Sequence, residues 1–327
     1  MGHNIKEIWL FIKKAIAFML LFLAIAFLVE ITCNLIIKST ANFKLASTPE
    51  YAVFGNSRPE CAFNDSLIES FINFSESGEN YFYTRFKLYK LLSNNPKIST
   101  VFIEFGHSNI DNSYKEKLLS INDMSYRYPT FSPFYHYDDY TFFLSNGSNI
   151  TKNFFALSSV SLRRKVARVA LMNFNYTTEM GGYNRLEMAK LDSLLIAFKN
   201  IEMEPLSEKD IFIESIMFLK EIIEYCNKHQ KNVYIIRCPI HPEYQYYVNE
   251  KLISDLLEIN FPKIPYLDFS KFPATNSEFS DFTHLNHKGA TRFSVWFNEL
   301  LKNGLLRKDN PQEFIDLEIN KLFFDTN

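Results

Sequence analysis

Three residues near the two ends of the chain are of the types that carry out nucleophilic catalysis. Ser57 follows a short apolar run and a glycine, so we place it on a turn at the end of a predicted strand. Asp281 and His284 lie three residues apart near the other end, before a predicted helix that begins near Asn286. A serine hydroxyl becomes nucleophilic when an imidazole accepts its proton and a carboxylate orients the imidazole. The three residues therefore predict acyl transfer from an ester, by way of an acyl-enzyme, to water or to another hydroxyl.

Each residue also has an ordinary structural explanation. A serine at a strand-to-turn junction commonly caps a helix. Asp281 could be an N-terminal cap, and His284 could be a helix-start residue with a hydrogen-bonded ring. The occurrence of all three together favours catalysis, since triads are recognised by their joint roles.

Strands that alternate with helices must position these residues. Alternation of this kind predicts a parallel sheet covered by helices on both faces, with ligands at the carboxyl ends of the strands. The sequence thus predicts an α/β fold in residues 45–305 and a helical tail in residues 306–327. The predicted strands are 52–54, 101–105, 233–238 and 265–269, and the predicted helices are 65–72, 83–92, 207–229 and one from 286 onward.

An apolar segment, residues 15–37, is long enough to cross a bilayer. Basic residues precede it, so the positive-inside rule puts the short N-terminus, residues 1–14, in the cytoplasm and the folded domain outside. A cleaved signal peptide is the alternative, but the apolar stretch is longer than usual and lacks a small-residue cleavage site. We therefore expect a single-pass protein of the cell membrane with an extracytoplasmic domain. Glu30, in the outer third of the span, is expected to be an interfacial carboxylate.

Composition excludes several classes of function. The chain has 35 basic and 37 acidic residues, which is not the charge of a nucleic-acid-binding protein. The spacing of its four cysteines fits no metal site or disulfide framework, and we expect neither a metal nor another cofactor. Buried thiols are the favoured interpretation, although a bridge from Cys61 to Cys226 or Cys238 is an alternative.

The aromatic-rich segment 124–160 has no clear helix or strand period, and we interpret it as an insertion or lid. Its rings could stack on sugar rings of a glycan, but packing within the protein is the favoured alternative. The basic run that follows indicates a solvated helix face, with membrane headgroup contact as the alternative. This run consists of Arg163, Arg164, Lys165 and Arg168.

The blocks around the three chemical residues resemble those of a known superfamily. "FGNSR" and "DFTHLNHKGA" look like the first and last signature blocks of the SGNH (GDSL-like) hydrolases. The resemblance implies a flavodoxin-like three-layer sandwich in which Ser57 is the nucleophile, His284 the base and Asp281 the acid. It also implies an oxyanion hole made by the Ser57 amide, a glycine amide and an asparagine side chain.

Two further blocks contain the candidates for that hole. Gly78, in "NFSESGENY", resembles the second block, and Asn109, in "FGHSNID", resembles the third. The family usually has glycine-x-asparagine-aspartate in its third block. Here His107 and Ser108 separate Gly106 from Asn109, so either of them could occupy the pocket instead.

Three other side chains are candidates for substrate binding. Arg58 and Arg237 could bind a carboxylate or phosphate, or could form structural ion pairs. His241 follows a strand and a proline, a position from which it could line the pocket.

A membrane helix ahead of such a domain is similar to the D-alanyl transfer protein of teichoic acid modification and to the alginate O-acetyltransferase group. That resemblance implies a membrane-bound O-acyltransferase as partner and a cell-surface glycan as acyl acceptor. We therefore expect a membrane-anchored serine acyltransferase or esterase that acts on O-acyl groups of a polysaccharide. The alternatives are an inactive scaffold that binds a glycan or an acyltransferase partner, and an esterase with small acyl substrates.

Overall fold

The computed structural model describes residues 2–146, 148–187, 195–196, 205–244 and 249–324. The chain divides into two compact units. The helical unit comprises Met1–Asn42 and Lys117–Tyr176, and the sheet unit comprises Phe43–Glu116 and Thr177–Asn327.

The sheet unit is built on five parallel strands. They lie in the order β2-β1-β3-β4-β5, which is the flavodoxin-like order for a doubly wound sheet. This arrangement confirms the predicted α/β class with a parallel sheet. The strands are β1 Tyr51–Phe54, β2 Phe71–Asn73, β3 Thr100–Glu104, β4 Asn232–Arg237 and β5 Tyr266–Asp268.

Twelve α-helices lie in the described part of the chain, numbered α1 to α12. The first eight are α1 Gly2–Thr40, α2 Ser57–Ala62, α3 Tyr81–Asn94, α4 His107–Ile110, α5 Asn112–Leu118, α6 Ile121–Phe131, α7 Tyr137–Asn146 and α8 Ser148–Ala170. The last four are α9 Ile213–Lys228, α10 Glu250–Asn260, α11 His287–Lys302 and α12 Pro311–Phe324.

Helices cover both faces of the sheet. On one face, strand residues such as Val53 and Phe102 form a buried cluster with Phe293 and Phe297 of α11 and with residues of α12. The intervening strand residues are fully buried as well, which requires a second layer, because successive side chains point to opposite faces. Helix α9 packs against β4 and α3. This parallel core carries the loops described below at the carboxyl ends of its strands.

Two predicted elements differ from those in the structure. Residues 65–72, predicted as a helix, form a 3₁₀ turn followed by the edge strand β2, which at three residues is too short to show a period. The helix predicted from Ser207 begins instead at Ile213. The reason is that Asp210 accepts hydrogen bonds from the Ser207 amide and hydroxyl at 2.8 and 2.6 Å, which closes a separate 3₁₀ turn.

The helical unit consists of α1 and a helical insertion. Helix α1 is long and apolar enough over Lys6–Thr40 to cross a membrane. The insertion segment, expected to be irregular, forms α6, α7 and much of α8; Pro129 within α6 and the shortness of α7 account for its unclear period. Its rings pack on one another, with the Tyr135 centroid 5.5 Å from Tyr140 and 6.0 Å from Phe143. All four cysteines are free and buried.

Candidate active site

Ser57 is the first residue of α2, directly beyond the carboxyl end of β1. The side chain of Asn56 caps this helix, since its Oδ1 accepts the Arg58 amide at 3.0 Å. Gly55 is required at the turn because a Cβ there would lie 2.7 Å from the Cβ of Glu104 and 2.6 Å from the Cγ of Pro59. The tight turn therefore places the Ser57 hydroxyl at the edge of the sheet where parallel folds bind their ligands.

The structure joins Ser57, His284 and Asp281 in one chain of hydrogen bonds. His284 Nε2 lies 2.7 Å from Ser57 Oγ, and His284 Nδ1 lies 2.9 and 2.8 Å from the two carboxylate oxygens of Asp281. A carboxylate only accepts, so the imidazole proton is on Nδ1 and Nε2 is free to accept the serine proton. This geometry can generate a nucleophilic serine.

The carboxylate of Asp281 is fixed by its own turn. Its Oδ1 accepts the amides of Thr283 and His284 at 2.7 and 2.9 Å and the Thr283 hydroxyl at 2.9 Å. Burial disfavours the charged carboxyl, but the hydrogen bond and charge of His284, with the bonds from Thr283, hold the pKa of Asp281 at about 2. Asp281 is therefore ionised at neutral pH and can stabilise a protonated His284.

The residues after His284 hold this turn in place. Asn286 is fully buried and caps α11, with its Oδ1 accepting the amides of Lys288 and Gly289 at 2.9 and 3.3 Å. Its amide group donates to the carbonyls of Ser277 and Phe279 at 2.8 and 3.1 Å. A Cβ at position 289 would lie 2.3 Å from a backbone oxygen, that of Glu278, so only glycine fits there. The segment "HLNHKG" therefore contains both His284 and the residues, Asn286 and Gly289, that hold its turn in place.

The candidate oxyanion-hole residues have different surroundings. Gly78 lies in a buried turn after β2 with a φ of 70°, a left-handed conformation that favours glycine. The preceding Ser77 donates to Glu60 of α2, which ties this turn to the helix that begins at Ser57. Asn109 is buried, and its Oδ1 accepts the Gly106 amide at 2.9 Å, so the side chain caps its own turn.

Ser108, the alternative donor, differs from His107 and Asn109 in its hydrogen bonding. Its Oγ is buried and makes no hydrogen bond within the described part of the chain. His107 instead bonds to Tyr244, with 3.0 Å between Nε2 and the phenolic oxygen.

Arg58 lies at the centre of a network that sequence reasoning missed. The guanidinium Nη1 is 3.6 Å from the buried carboxylate of Glu104, and Nη2 donates to the Tyr244 hydroxyl at 3.2 Å. The Tyr244 hydroxyl thus links the Arg58 guanidinium to the His107 ring. Burial, and then the charges of Arg58 and Arg237, lower the pKa of His107 to about 3, so its ring is neutral. The one sequence signal for this network was a lone glutamate, Glu104, in the otherwise apolar strand β3.

Arg237 and His241 are engaged by protein partners. Arg237 makes a two-pronged ion pair with Glu250 of α10, with both nitrogen–oxygen distances 2.5 Å. His241 is 4% exposed; its Nδ1 accepts the Glu243 amide at 3.1 Å, and its Nε2 lies 3.0 Å from Asn276 Oδ1. The backbone amide of His241 also donates, at 2.9 Å, to the carbonyl of Phe282 in the turn that carries Asp281 and His284. Both side chains thus have structural partners, and His241 helps to hold the turn that carries His284.

Among the residues that the structure describes, no group of three or more His, Cys, Asp and Glu side chains is arranged to hold a metal ion.

Comparisons with known proteins find remote similarity. A protein-family model matches residues 181–306, less than half of the chain. No curated protein matches. Among solved structures, an assigned acylhydrolase of Bacteroides fragilis NCTC 9343 matches with 10% identity and a TM-score of 0.32, over 81% of this chain and 93% of that one. A GDSL-like lipase of Bacteroides thetaiotaomicron VPI-5482 matches with 9% identity and a TM-score of 0.35, over 84% and 98%.

Proposed function

We propose that this chain is an SGNH-type serine hydrolase or acyltransferase that cleaves an ester through an acyl-enzyme on Ser57. The observation that carries the proposal is the unbroken hydrogen-bonded chain from Ser57 Oγ through His284 to Asp281, with links of 2.7 and 2.8 Å. These distances lie within the range for a nucleophile, its base and the group that orients the base.

In the first half-reaction, Ser57 Oγ attacks the ester carbonyl carbon while His284 Nε2 takes the hydroxyl proton. The ionised Asp281 stabilises the imidazolium that results. When the carbon–oxygen bond of the leaving group breaks, His284 returns the proton to the departing alkoxide, and the acyl group remains on Ser57. In the second half-reaction, His284 deprotonates water or an acceptor hydroxyl, which attacks the acyl carbon and restores Ser57.

The tetrahedral intermediates carry a negative oxygen that needs hydrogen-bond donors. We assign two of these donors to the backbone amides of Ser57 and Gly78. Since Asn109 already uses its Oδ1 on Gly106, only its Nδ2 could be the third donor, and Ser108 Oγ is the competing candidate. Loss of one such donor typically costs about 10²- to 10³-fold in kcat, so Asn109→Ala and Ser108→Ala should differ clearly.

We further propose that α1 anchors the protein in the cell membrane, with the sheet unit outside the cytoplasm. The apolar length of α1 and the basic residues before it support this topology. The acyl acceptor is proposed to be a hydroxyl of a cell-surface polysaccharide, with a membrane-bound O-acyltransferase supplying the acyl group. This part of the proposal rests on the resemblance to anchored acyltransferases stated above.

The proposal is tested with the full chain in detergent, by measuring hydrolysis of p-nitrophenyl acetate. We expect Ser57→Ala and His284→Ala each to lower kcat/KM by at least about 10³-fold, because residues of a triad act as a unit. Ser66→Ala, on an exposed turn outside the site, is the matched control and should retain activity. Folded wild-type protein without hydrolytic activity would favour the scaffold function instead, and wild-type-like activity in Ser57→Ala would show that Ser57 is not the nucleophile. Release of acetate from an acetylated glycan, compared with transfer to an unacetylated one, then separates esterase from transferase.

A further inference from the structure

A lysine of α3, Lys87, has its charged group buried in the interior of the sheet unit. Its side chain is 0% exposed, and so is that of Glu79, with which it forms an ion pair at 2.5 Å between Nζ and Oε2. Taking two charges out of water is costly, and apolar residues of similar size at such positions are often as stabilising. The role of the pair is therefore to be found in the segments that it holds in place.

The contacts of the Lys87 ammonium converge on one loop. In addition to pairing with Glu79, Nζ donates to the backbone carbonyls of Phe74 and Met180 at 2.6 and 3.2 Å. These contacts use all three hydrogens of the ammonium. Phe74 and Glu79 both belong to residues 74–80, which connect β2 to α3. We call this segment the oxyanion loop, because it contains the glycine to which one oxyanion donor is assigned above.

The oxyanion loop is also bonded to the turn that carries the nucleophile. The Glu76 amide donates at 3.1 Å to the carbonyl of Gly55, two residues before Ser57. The Glu79 amide donates to the Glu76 carbonyl at 3.0 Å, which closes the turn around Gly78. A shift of the loop at Glu76 or Glu79 would therefore move the Gly78 amide relative to Ser57.

A second segment, Met180 with the two glycines after it, lies against the oxyanion loop. The Gly182 amide donates to the Ser75 carbonyl of the loop at 3.1 Å. Gly181, at a φ of 86°, approaches so closely that a Cβ there would lie 2.2 Å from the same carbonyl oxygen. Since Lys87 bonds to the Met180 carbonyl as well as to the loop, its ammonium holds the two segments together.

We propose that Lys87 is a positioning residue for the oxyanion hole: its ammonium holds the oxyanion loop where the Gly78 amide can donate to the negative oxygen that forms when Ser57 attacks. The inference rests on the proposed function, and in particular on the donor assigned to Gly78. Lys87 is enclosed by protein, so it acts through the backbone of the loop and not on the substrate. Misplacement of a preorganised group by about 1 Å can cost about 10²-fold in rate.

The test compares Lys87→Met/Glu79→Leu with wild type, as full chains in detergent. The double change replaces the ion pair by apolar side chains and leaves no buried charge unpaired, so the chain should fold. Both half-reactions of p-nitrophenyl acetate hydrolysis pass through an oxyanion, so their rates should fall together. We expect kcat to drop about 10²-fold while KM stays within about threefold. The pH at which kcat is half-maximal should not change, since it reports His284.

A transition-state analogue separates loss of oxyanion binding from a general disturbance of the site. Trifluoroacetophenone adds to the serine hydroxyl and places a negative oxygen where the oxyanion forms, so its inhibition constant should rise about as much as kcat falls. Arg85→Met is the matched control, because it removes a buried side chain of the same helix that pairs with Glu221 of α9 at 2.5 Å. This control should keep both kcat and the inhibition constant.

Lys87→Gln/Glu79→Gln is a second, more conservative variant. Its neutral side chain at position 87 is one atom shorter but still a donor, so its kcat should lie between those of wild type and Lys87→Met/Glu79→Leu. Either folded double variant with the kcat of wild type, or with a raised KM and an unchanged inhibition constant, would overturn the positioning role and leave the proposed function standing. Folded wild type that hydrolyses no ester would overturn the proposed function as well.

Discussion

Replacing Asp281 with asparagine reverses the hydrogen bond that sets the tautomer of His284. Asp281 Oδ1 faces the amides of Thr283 and His284, so in Asp281→Asn the amide oxygen must keep that position. The new NH₂ group then takes the place of Oδ2, 2.8 Å from His284 Nδ1. The NH₂ group is the nearer neighbour of Nδ1, and the amide oxygen, 2.9 Å from Nδ1, already accepts three hydrogen bonds. We therefore expect Nδ1 to accept, which moves the imidazole proton to Nε2, the atom 2.7 Å from Ser57 Oγ. His284 then donates to the serine and can no longer act as its base.

The expected loss of kcat is about 10⁴-fold, the size seen when a triad histidine is held in the wrong tautomer. This corresponds to about 5.5 kcal/mol of transition-state stabilisation, at about 1.4 kcal/mol per factor of ten. The assay is p-nitrophenyl acetate hydrolysis by the full chain, with circular dichroism to check the fold. Thr283→Val is the graded control: it removes the hydroxyl bond to Asp281 and the 3.0 Å contact of the same hydroxyl with His284 Nδ1. A net loss of about 1 kcal/mol corresponds to roughly fivefold. Activity of Asp281→Asn within tenfold of wild type would refute the tautomer argument.

Other perturbations test the surroundings of the site. The pKa of His107 is about 3 in the folded chain against 6.5 ordinarily, so the unfolded chain binds more protons between these values and stability falls as pH drops below 6.5. At pH 5 this amounts to about 2 kcal/mol, and urea denaturation should show that His107→Gln lacks that part of the pH dependence. Arg58→Met leaves the Glu104 carboxylate buried without its counter-charge and should cost about 3–5 kcal/mol of unfolding free energy, most of which Arg58→Met/Glu104→Gln should restore. If the double variant is no more stable than Arg58→Met, the pairing argument fails. Gly289→Ala places a methyl group 2.3 Å from the carbonyl oxygen of Glu278 and should lower both the melting temperature and kcat, whereas unchanged values would show that the turn does not support His284.

Much of the fold followed from local patterns because the central strands are short, apolar and ended by turn residues. The predictions for β1, β3, β4 and β5, and for α3 and α11, are confirmed to within two or three residues. The edge strand β2 was missed because Phe71 and Ile72 continue a helical spacing of apolar residues that begins with Leu67 and Ile68. The helices of the insertion were missed because Pro129 and mixed aromatic and polar positions obscure their period.

In the candidate site as well, contacts within one turn could be predicted from the sequence, whereas contacts between distant segments could not. Asp281 and His284 were accessible to sequence reasoning because three residues of one turn set their geometry. The partners of Arg58 were not, since Glu104 and Tyr244 are distant from it in sequence. They meet Arg58 only when the end of β3 and the segment after β4 come together beside α2. Arg237 and His241 were reasonable candidates by residue type, but their partners, Glu250 and Asn276, depend on tertiary contacts.

The central claim is that Ser57 is an activated nucleophile. The most direct measurement is to label the full chain in detergent with a fluorophosphonate probe and to map the adduct by mass spectrometry. The account predicts a single stoichiometric adduct on Ser57 in wild type, none in Ser57→Ala, and strongly slowed labelling in His284→Ala. Folded wild-type protein that forms no adduct, or that is labelled at another serine, would contradict it.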